Sequence, residues 1–256
     1  MILDEIIETT RIRIERKKKI MPLIEMMKLA KKRGQPFAFE KVLIGNDISF
    51  ICEVKKASPS KGIIADDFPY VKIAKEYEKA GTAAISVLTE PYFFMGSLDY
   101  LKAIKRNVNV PVLQKDFIVD EYQIYEAGVI DADAILLICS VLSKDKIRKF
   151  IKIADGLGLS CLVEVHDEKE VETALDADAR MIGVNNRNLQ TFDVDINNSI
   201  KLRSLVPEDI IFVSESGIKT KEEIDELRKI GTDAVLIGET LMKSNDIVAE
   251  LEQLRG

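Results

Sequence analysis

Short apolar runs alternate with amphipathic stretches along most of this 256-residue chain. The apolar runs predict eight strands, at 50–55, 83–88, 111–115, 133–138, 160–165, 181–186, 210–215 and 234–238. Helical patterns follow them at 70–80, 97–106, 120–128, 144–157, 167–176, 196–205, 220–230 and 246–255. Strands that alternate with helices indicate an α/β fold with a parallel sheet. Eight such units in about 205 residues favour a closed (βα)8 TIM barrel over an open doubly wound sheet.

The segment before the first strand has a helical pattern of its own. Apolar residues recur at helical spacing from Ile2 to Ile24, with acidic residues first and basic residues later, as suits the helix dipole. We expect residues 1–47 to form a helical extension packed on a barrel of residues 48–256. No linker or change in composition divides the chain, so we expect one domain, 1–256. We expect the extension to cover a site, so deleting residues 1 to about 40 should impair turnover or substrate binding more than it disrupts the barrel, because eight complete units remain.

Six basic residues are concentrated in this extension. They are Arg11, Arg13, Arg16, Lys17, Lys18 and Lys19. We expect them to form a solvated helix face, and the alternative is that they help to hold an anionic substrate.

Four joints between a helix and the next strand carry residues that accept a left-handed backbone. They are Gly81, Asp131, Asp176 and Gly231. These joints lie at the amino-terminal ends of the strands and so serve stability, since chemistry in this fold lies at the opposite face.

The first predicted strand places two charged residues on one face of a buried element. Glu53 and Lys55 are two positions apart and point the same way. Phe50, Cys52 and Val54 have the other parity and should pack outward against helices. A buried carboxylate and ammonium are costly unless they are paired or used. The pair is therefore either a structural ion pair beneath the loop at 57–70 or part of an active site.

Four further strands end in polar residues at the same face. These residues are Lys115, Glu164, Asn185, Arg187 and Glu215. A single charged strand end is ordinarily solvated, but barrel closure makes these ends converge. Two lysines and a glutamate held close together can shift one another's pKa and supply both an acid and a base.

The remaining strand ends predict pockets for a phosphate and for a flat ring. Ser216-Gly217 and Gly238 follow the last two strands, where backbone N–H groups of this fold commonly bind phosphate. Tight turns alone are the alternative. Aromatic residues after the second and third strands, including Phe94 and Phe117, predict an apolar wall, or else packing on the barrel rim.

Composition argues against several classes of protein. The net charge of −6 disfavours nucleic acid as a partner, and no apolar run approaches the ~20 residues of a membrane span. The acidic amino terminus is unlike a signal peptide. Cys52, Cys139 and Cys161 lie in apolar runs, so we expect buried reduced thiols and a cytoplasmic protein. The sole histidine, His166, is expected at the rim, and no motif predicts a metal or a cofactor.

Segments along nearly the whole chain resemble the indole-3-glycerol-phosphate synthase family. In chain order they are E-V-K-K-A-S-P-S-K-G, L-T-E, L-Q-K-D-F, L-V-E-V, G-V-N-N-R-N-L, S-E-S-G-I and L-I-G-E-T-L-M. The family closes and decarboxylates 1-(2-carboxyphenylamino)-1-deoxyribulose 5-phosphate, giving indole-3-glycerol phosphate, CO2 and water in tryptophan biosynthesis without a cofactor. The resemblance implies a carboxy-lyase with a small-molecule phosphosugar-anthranilate substrate, and we expect a monomer or weak homo-oligomer.

The resemblance also implies a role for individual residues. Lys115 matches the lysine proposed as general acid of ring closure. Lys55, beside Glu53, matches the lysine that pairs with the substrate carboxylate. Glu164 matches a proton-transfer partner, and Asn185 matches a residue that orients the substrate hydroxyls. The other matches are substrate-binding positions: Ser58, Ser216, Gly217, Gly238 and Glu239 toward the phosphate, Arg187 and Glu215 in the pocket, and Phe94, Phe117 and Leu236 around the aromatic ring.

Two of these positions carry specific expectations. Glu239 replaces a serine found in some relatives, so its carboxylate should turn away from the phosphate. Lys115 has no adjacent like charge in sequence, whereas Lys55 lies two residues from Glu53, so Lys115 should give up its proton more readily.

Three other functions would each require different residues. An isomerase of phosphoribosyl anthranilate should lack the first 47 residues and carry a Cys or Asp acid–base pair in place of Glu53 and Lys55. A non-catalytic phosphate binder should have lost Lys55, Lys115 or Glu164. A Schiff-base aldolase is disfavoured because the sixth strand offers no lysine.

Overall fold

The computed structural model describes residues 2–188 and 191–256. Leu189, the last residue of the sixth-strand motif, lies outside the described residues. In chain order the strands are β1 (Ser49–Val54), the hairpin strands β2 (Ala57–Ser58) and β3 (Gly62–Ile63), β4 (Ala84–Leu88), β5 (Val112–Lys115), β6 (Ala134–Ile138), β7 (Ser160–Val165), β8 (Met181–Asn185), β9 (Ile211–Glu215) and β10 (Ala234–Ile237).

Helices alternate with these strands. They are α1 (Ile2–Ile20), α2 (Leu23–Leu29), α3 (Ala38–Leu43), α4 (Tyr70–Lys79), α5 (Leu98–Lys105), α6 (Glu121–Val129), α7 (Lys144–Leu157), α8 (Glu168–Asp176), α9 (Asn197–Arg203), α10 (Lys221–Lys229), α11 (Glu239–Lys243) and α12 (Ile247–Arg255). Within the described part of the chain, none of the helices combines the length and apolar character needed to cross a membrane.

Eight parallel strands close into one barrel, in the order β1, β4, β5, β6, β7, β8, β9 and β10, with β10 paired back to β1. The predicted (βα)8 TIM barrel with an N-terminal helical extension is therefore confirmed. Each predicted strand agrees with an observed one to within a residue at both ends. The hairpin β2–β3 and the short helix α11 were not predicted.

Alternation along each strand separates two apolar layers. Phe50, Cys52 and Val54 of β1 point outward and pack in the layer between the barrel and its helices, as predicted. Ile51, which has the opposite parity, packs inside the barrel with residues of the other strands. Glu53 shares the inward parity of Ile51 and lies toward the carboxyl end of the strand. The strand therefore presents an apolar residue to the core and a charged one to the mouth.

The extension has a structural part that its pattern did not predict. Phe39 and Leu43 of α3 are fully buried and pack with the barrel interior, together with Ile51 and Met181. The helix contacts β4 and β7. It therefore closes the amino-terminal end of the barrel, and the expectation that the whole extension serves the site is wrong for α3.

Helix α1 packs on α6 through both apolar and ionic contacts. Ile14 is buried against Tyr122, and Lys17 Nζ lies 2.7 Å from Glu126 Oε1. The other two docked cations are Arg13, with Nη2 2.9 Å from Asp116 Oδ1, and Lys18, with Nζ 2.7 Å from Asp120 Oδ2. Arg11, Arg16 and Lys19 are exposed. The predicted solvated face is thus correct for only half of the basic cluster.

Left-handed residues turn the chain before several strands. Gly81, Asp131 and Gly231 have φ values of 78°, 69° and 76°, as predicted. The predicted turn at Asp176 is wrong, because α8 continues through that residue and Asp178 takes the left-handed conformation, with φ 65°. All three cysteines are free and buried.

Candidate active site

A cavity of about 890 Å³ opens at the carboxyl ends of the barrel strands. Every residue that the sequence singled out for catalysis or substrate binding lines it: Glu53, Lys55, Ser58, Phe94, Lys115, Phe117, Glu164, Asn185, Arg187, Glu215, Ser216, Gly217, Leu236, Gly238 and Glu239. The structure therefore brings all of these side chains to one place, as the convergence of strand ends requires.

Lys115 stands at the centre of this cavity, surrounded by three carboxylates from other strands. Its Nζ lies 3.2 Å from Glu215 Oε2, 3.7 Å from Glu164 Oε2 and 3.9 Å from Glu53 Oε2. Burial opposes the charge, but Glu215, Glu164 and Glu53 outweigh it and raise the pKa of Lys115 above its usual value. The expectation that Lys115 gives up its proton more readily is wrong for the free protein, because three carboxylates hold the ammonium.

Glu53 joins the two lysines of the site. Its Oε1 lies 2.6 Å from Lys55 Nζ, and its Oε2 accepts a hydrogen bond from Ser86 Oγ at 3.4 Å. Burial would raise the pKa of Glu53, but Lys55 and Lys115 lower it below its ordinary value. A Cβ at Gly238 would lie 2.7 Å from Glu53 Oε1, so only glycine leaves room for this pair.

Glu215 is the least satisfied carboxylate of the cavity. Burial raises its pKa to about 7, with Lys115 opposing the shift and Glu164 adding to it. The contact with Lys115 is an ion pair without hydrogen-bond alignment, and neither carboxylate oxygen has an aligned donor among the described residues. A buried carboxyl in this state can hold or release a proton near neutral pH.

Gly183 makes space for Glu215, and sequence reasoning missed it. A Cβ at this position of β8 would lie 2.2 Å from Glu215 Oε1. The available signal was a glycine in the middle of the apolar strand M-I-G-V-N, since glycine inside a strand often marks a close approach.

His166 was predicted as a rim residue, but it touches the site. Its Nε2 lies 3.4 Å from Glu164 Oε1, and its Nδ1 lies 3.0 Å from Glu170 Oε2. The imidazole is only 17% exposed. Glu164 and His166 are two positions apart where β7 ends, and this spacing was the signal that could have found the contact.

The loop after β9 turns sharply at two consecutive residues. Ser216 and Gly217 have φ values of 69° and 82°. Glycine is required at 217, because a Cβ there would lie 2.1 Å from Val194 Cγ1. Asn186 fixes the turn by donating its amide N–H to the carbonyl of Ser216 at 3.1 Å. Asn186 thus stabilises the turn after β9, whereas its neighbour Asn185 lines the cavity.

Three cations surround Glu239 at the edge of the cavity. Glu239 Oε1 lies 2.7 Å from Lys243 Nζ and 3.6 Å from Lys61 Nζ, and its Oε2 lies 3.7 Å from Arg187 Nη2. These ion pairs lower the pKa of the carboxyl against the opposing effect of burial. Lys61 and Lys243 line the cavity and were missed, because neither lies in a strand.

An apolar wall forms from the loops after β4 and β5. The ring centroids of Phe94 and Phe117 lie 6.0 Å apart. Glu90 orders the first loop, because its Oε2 accepts hydrogen bonds from the backbone N–H groups of Phe93 at 2.7 Å and Phe94 at 3.0 Å. Tyr92 is exposed and, like Phe93, does not line the cavity. These two aromatics therefore take no part in the wall.

The amino-terminal helix reaches the same cavity. Ile2, Leu3 and Ile6 line it opposite the strand ends. Farther along α1, Arg13 binds Asp116, which also accepts a hydrogen bond from Thr89 Oγ1 at 2.8 Å. The helix is thus attached directly beside Lys115.

Comparison with known proteins agrees with this geometry. A family model described as "Indole-3-glycerol phosphate synthase" matches residues 3–254. A protein of that name from Ruminiclostridium cellulolyticum is 60% identical over 260 residues, covering 100% of this chain and 99% of the relative. Another, from Endomicrobium trichonymphae, is 59% identical over 257 residues, covering 100% of each.

Solved structures of lower similarity share the fold. The 3-hexulose-6-phosphate synthase of Salmonella typhimurium superimposes with a TM-score of 0.67 at 16% identity, covering 81% of this chain and 97% of that one. This likeness shows the barrel, and the two full-length relatives and the family model show the family. The chain belongs to the indole-3-glycerol phosphate synthase family.

Proposed function

We propose that Lys115 and the three carboxylates around it carry out the reaction of this family. The chain is an indole-3-glycerol phosphate synthase, which converts 1-(2-carboxyphenylamino)-1-deoxyribulose 5-phosphate to indole-3-glycerol phosphate in tryptophan biosynthesis. The observation that carries the proposal is the position of one ammonium, 3.2–3.9 Å from three carboxylates, inside a cavity of about 890 Å³.

The reaction takes up one proton in each turnover. The carbonyl oxygen receives two protons before it leaves as water, and the carbon next to nitrogen loses one. The carboxylate leaves as CO2 and gives its electron pair back to the ring. The site therefore needs a group that donates protons, a group that accepts one, and a cation for the carboxylate.

Lys115 is the proton donor to the carbonyl oxygen during ring closure. Its raised pKa keeps it protonated, and the alkoxide that forms is more basic than an amine, so the transfer is favourable when it is needed. Before transfer, the ammonium stabilises the developing negative charge on that oxygen.

Lys55 binds the carboxylate of the substrate, and Glu53 holds Lys55 in position through the 2.6 Å contact. Glu164 accepts or returns a proton during loss of water, because it lies within 3.7 Å of Lys115. Asn185 orients the substrate hydroxyls, and its Oδ1 is itself fixed by the backbone N–H of Arg187 at 3.0 Å.

The two ends of the substrate bind away from the reacting atoms. The phosphate lies against the turns at Ser216-Gly217 and Gly238-Glu239, near the cations around Glu239. Ser58 on the hairpin strand β2 faces the same side. The aryl ring lies against Phe94, Phe117 and Leu236. Binding energy at both ends orients the reacting centre. Glu215, with a pKa of about 7, supplies a further proton-holding group.

Three broader expectations remain part of the proposal. The buried reduced thiols support a cytoplasmic location. The chain acts as one domain and as a monomer or weak homo-oligomer. It uses neither a cofactor nor a metal. An isomerase of phosphoribosyl anthranilate is set aside, because the chain has both the extension and the pair Glu53 and Lys55.

The direct test is to add the carboxyphenylamino substrate to the full-length protein in the presence of a metal chelator and without nucleotide. We expect the fluorescence of the indole product to appear. A folded protein that gives no product, or gives it only when a metal ion is added, would contradict the proposal. Lys115→Ala prepared in parallel controls for contaminating enzyme.

A further inference from the structure

The only histidine of the chain lies between two carboxylates. His166 follows β7 by one residue, two positions after Glu164, and its ring bridges Glu164 and Glu170. The distances are 3.4 Å from Nε2 to Glu164 Oε1 and 3.0 Å from Nδ1 to Glu170 Oε2. Glu164 faces the cavity, whereas Glu170 belongs to the outer helix α8.

Glu170 fixes the orientation of the ring. Its Oε2 also accepts a hydrogen bond from the backbone N–H of His166 at 2.8 Å, and the amide of Asn198 donates to the His166 carbonyl at 3.1 Å. A carboxylate accepts only from a protonated nitrogen, so Nδ1 carries a proton and Nε2 is turned toward Glu164. Nε2 is buried and has no aligned hydrogen bond among the described residues.

The groups that face His166 favour its charged form. Glu164 on β7, Glu170 on α8 and Glu215 on β9 raise the pKa of the imidazole against the effect of burial. Lys115 on β5 acts through Glu164, at 3.7 Å, and opposes them. Cys139 after β6 remains a neutral thiol, since burial raises its pKa to about 12.

We propose that His166, held by Glu170, is a positioning residue that places a positive charge beside the Glu164 carboxylate in the free enzyme. The inference rests on the proposed role of Glu164 in proton transfer. A carboxylate can accept a proton only while it is ionised, and a positive charge beside it favours that state. Three carboxylates share the single ammonium of Lys115, and the imidazole of His166 is a second cationic group next to Glu164.

The pairing predicts a measurable coupling in both directions. The carboxylates of Glu170 and Glu164 raise the pKa of His166, so replacing either one by a neutral side chain should lower it. Opposite charges this close shift a pKa by about 1 unit or more. His166→Gln removes the positive charge beside Glu164, so the acid limb of the kcat profile should move to higher pH.

The decisive experiment is an NMR titration of the imidazole in the full-length enzyme. The protein has one histidine, so its ring signals need no assignment. We expect the His166 pKa to lie above its ordinary value of about 6.5 and to fall by about 1 unit in Glu164→Gln and in Glu170→Gln. Glu168→Gln is the matched control, because Glu168 lies on the same helix but is fully exposed and pairs with Lys201.

An unchanged His166 pKa in Glu164→Gln would overturn the proposal, as would an equal fall in the Glu168→Gln control. An acid limb that stays in place in His166→Gln, with activity lowered equally at every pH, would also overturn it and leave a structural role only. If the coupling is present and Glu164→Gln keeps full activity, then the proposed function of Glu164 fails while its pairing with His166 stands. The titration does not depend on His166→Gln folding.

Discussion

Two clusters of ionic side chains lie at opposite ends of the barrel. At the amino-terminal end, Arg180 precedes β8 and binds Glu40 of α3 and Asp155 of α7. Its Nη2 donates to Glu40 Oε1 at 3.0 Å and to Asp155 Oδ1 at 2.8 Å, while Nε and Nη1 donate to the second oxygens of the same carboxylates at 3.1 Å. The guanidinium also lies 4.9 Å from the ring centre of Phe37.

The cluster at the mouth is paired less completely. Lys115 faces three carboxylates at 3.2, 3.7 and 3.9 Å, and neither oxygen of Glu215 has an aligned hydrogen-bond donor in the described part of the chain. Burial raises the pKa of Glu215 to about 7, whereas its ordinary value is 4.5. At the amino-terminal end, the planar guanidinium of Arg180 donates two hydrogen bonds to each carboxylate. At the mouth, three carboxylates share the single ammonium of Lys115.

This difference in hydrogen bonding distinguishes the structural cluster around Arg180 from the functional cluster around Lys115. Buried polar groups in a stable protein are ordinarily hydrogen-bonded, so the Arg180 cluster is complete as it stands. Groups with displaced pKa values and unmet hydrogen-bonding capacity are concentrated where a ligand or a reacting atom completes them. We therefore expect substitutions around Lys115 to alter the reaction rate and its pH dependence, and substitutions at Arg180 to alter stability.

The largest effect is expected at Lys115. Lys115→Ala should lower kcat by about 10²–10⁴-fold, or roughly 3–5 kcal/mol of barrier, because the donor to the carbonyl oxygen is lost. Steady-state assays of indole fluorescence measure this directly. Arg180→Gln is the control from the other cluster, and an equal loss of kcat in both variants would remove the distinction between them.

Glu215 should give the next effect, on stability as a function of pH. Its folded pKa of about 7 exceeds its ordinary 4.5, so the folded state binds more protons within that window. The free energy of unfolding of the native protein should therefore fall as pH rises from 4.5 to 7, by up to about 3 kcal/mol from this group.

Glu215→Gln should remove that part of the slope. Relative to the native protein, the variant gains stability as pH rises through the window, and urea unfolding at several pH values measures the difference. Glu222→Gln, an exposed change on α10, should leave the slope unaltered. A native slope retained in Glu215→Gln would show that the carboxyl titrates at its ordinary pKa.

Removal of α1 should have a smaller effect, on substrate use. Deleting residues 1–21 takes away the cavity-lining Ile2, Leu3 and Ile6 while keeping α3 at the floor of the barrel. We expect kcat/KM to fall about 10–100-fold, because the site loses one wall and the attachment beside Lys115. A cut at about residue 40 would also remove the buried Phe39 and would test folding instead.

A pair of point variants on α1 sharpens this test. Arg13→Gln should reproduce part of the loss, since Arg13 holds Asp116 next to Lys115. Arg11→Gln, on the exposed side of the same helix, should leave kcat/KM unchanged. A truncated protein that folds and retains the native kcat/KM would refute a role of α1 at the site.

Arg180 should give the smallest effect and a different kind. Arg180→Gln should lower the free energy of unfolding by about 1–2 kcal/mol, because charge-assisted hydrogen bonds are lost from a half-exposed side chain. The kcat of the folded fraction should stay at the native value. Chemical unfolding beside activity assays checks both, and a large loss of kcat in fully folded protein would contradict the assignment of this cluster to structure.

Local pattern was enough to predict the barrel and its mouth. Strand β1 shows why: inward Ile51 and Glu53 alternate with outward Phe50 and Cys52, so parity alone places Glu53 in the cavity once the barrel closes. The other residues of the candidate site were predicted from the order of the motifs along the chain.

Long-range pairing was beyond the reach of the pattern. Barrel closure predicted that the charged strand ends converge, but the local pattern does not reveal that three carboxylates from different strands lie within 3.2–3.9 Å of the Lys115 ammonium. The floor formed by Phe39 of α3 and the contact of Arg13 with Asp116, 103 residues away, depend in the same way on the closed fold. The contacts with the three carboxylates keep Lys115 protonated.

We propose that Lys115 acts in the chemical step with little effect on substrate affinity, whereas Lys55 contributes to both the chemical step and substrate binding. Single-turnover measurements with enzyme in excess separate the two, since the concentration dependence gives affinity and the plateau gives the chemical rate. For Lys115→Ala we predict an affinity near that of the native enzyme and a plateau rate about 10²–10⁴-fold lower, with no rescue by Lys115→Arg. For Lys55→Ala, both affinity and rate should fall. A near-native plateau in Lys115→Ala, or full recovery in Lys115→Arg, would contradict the account.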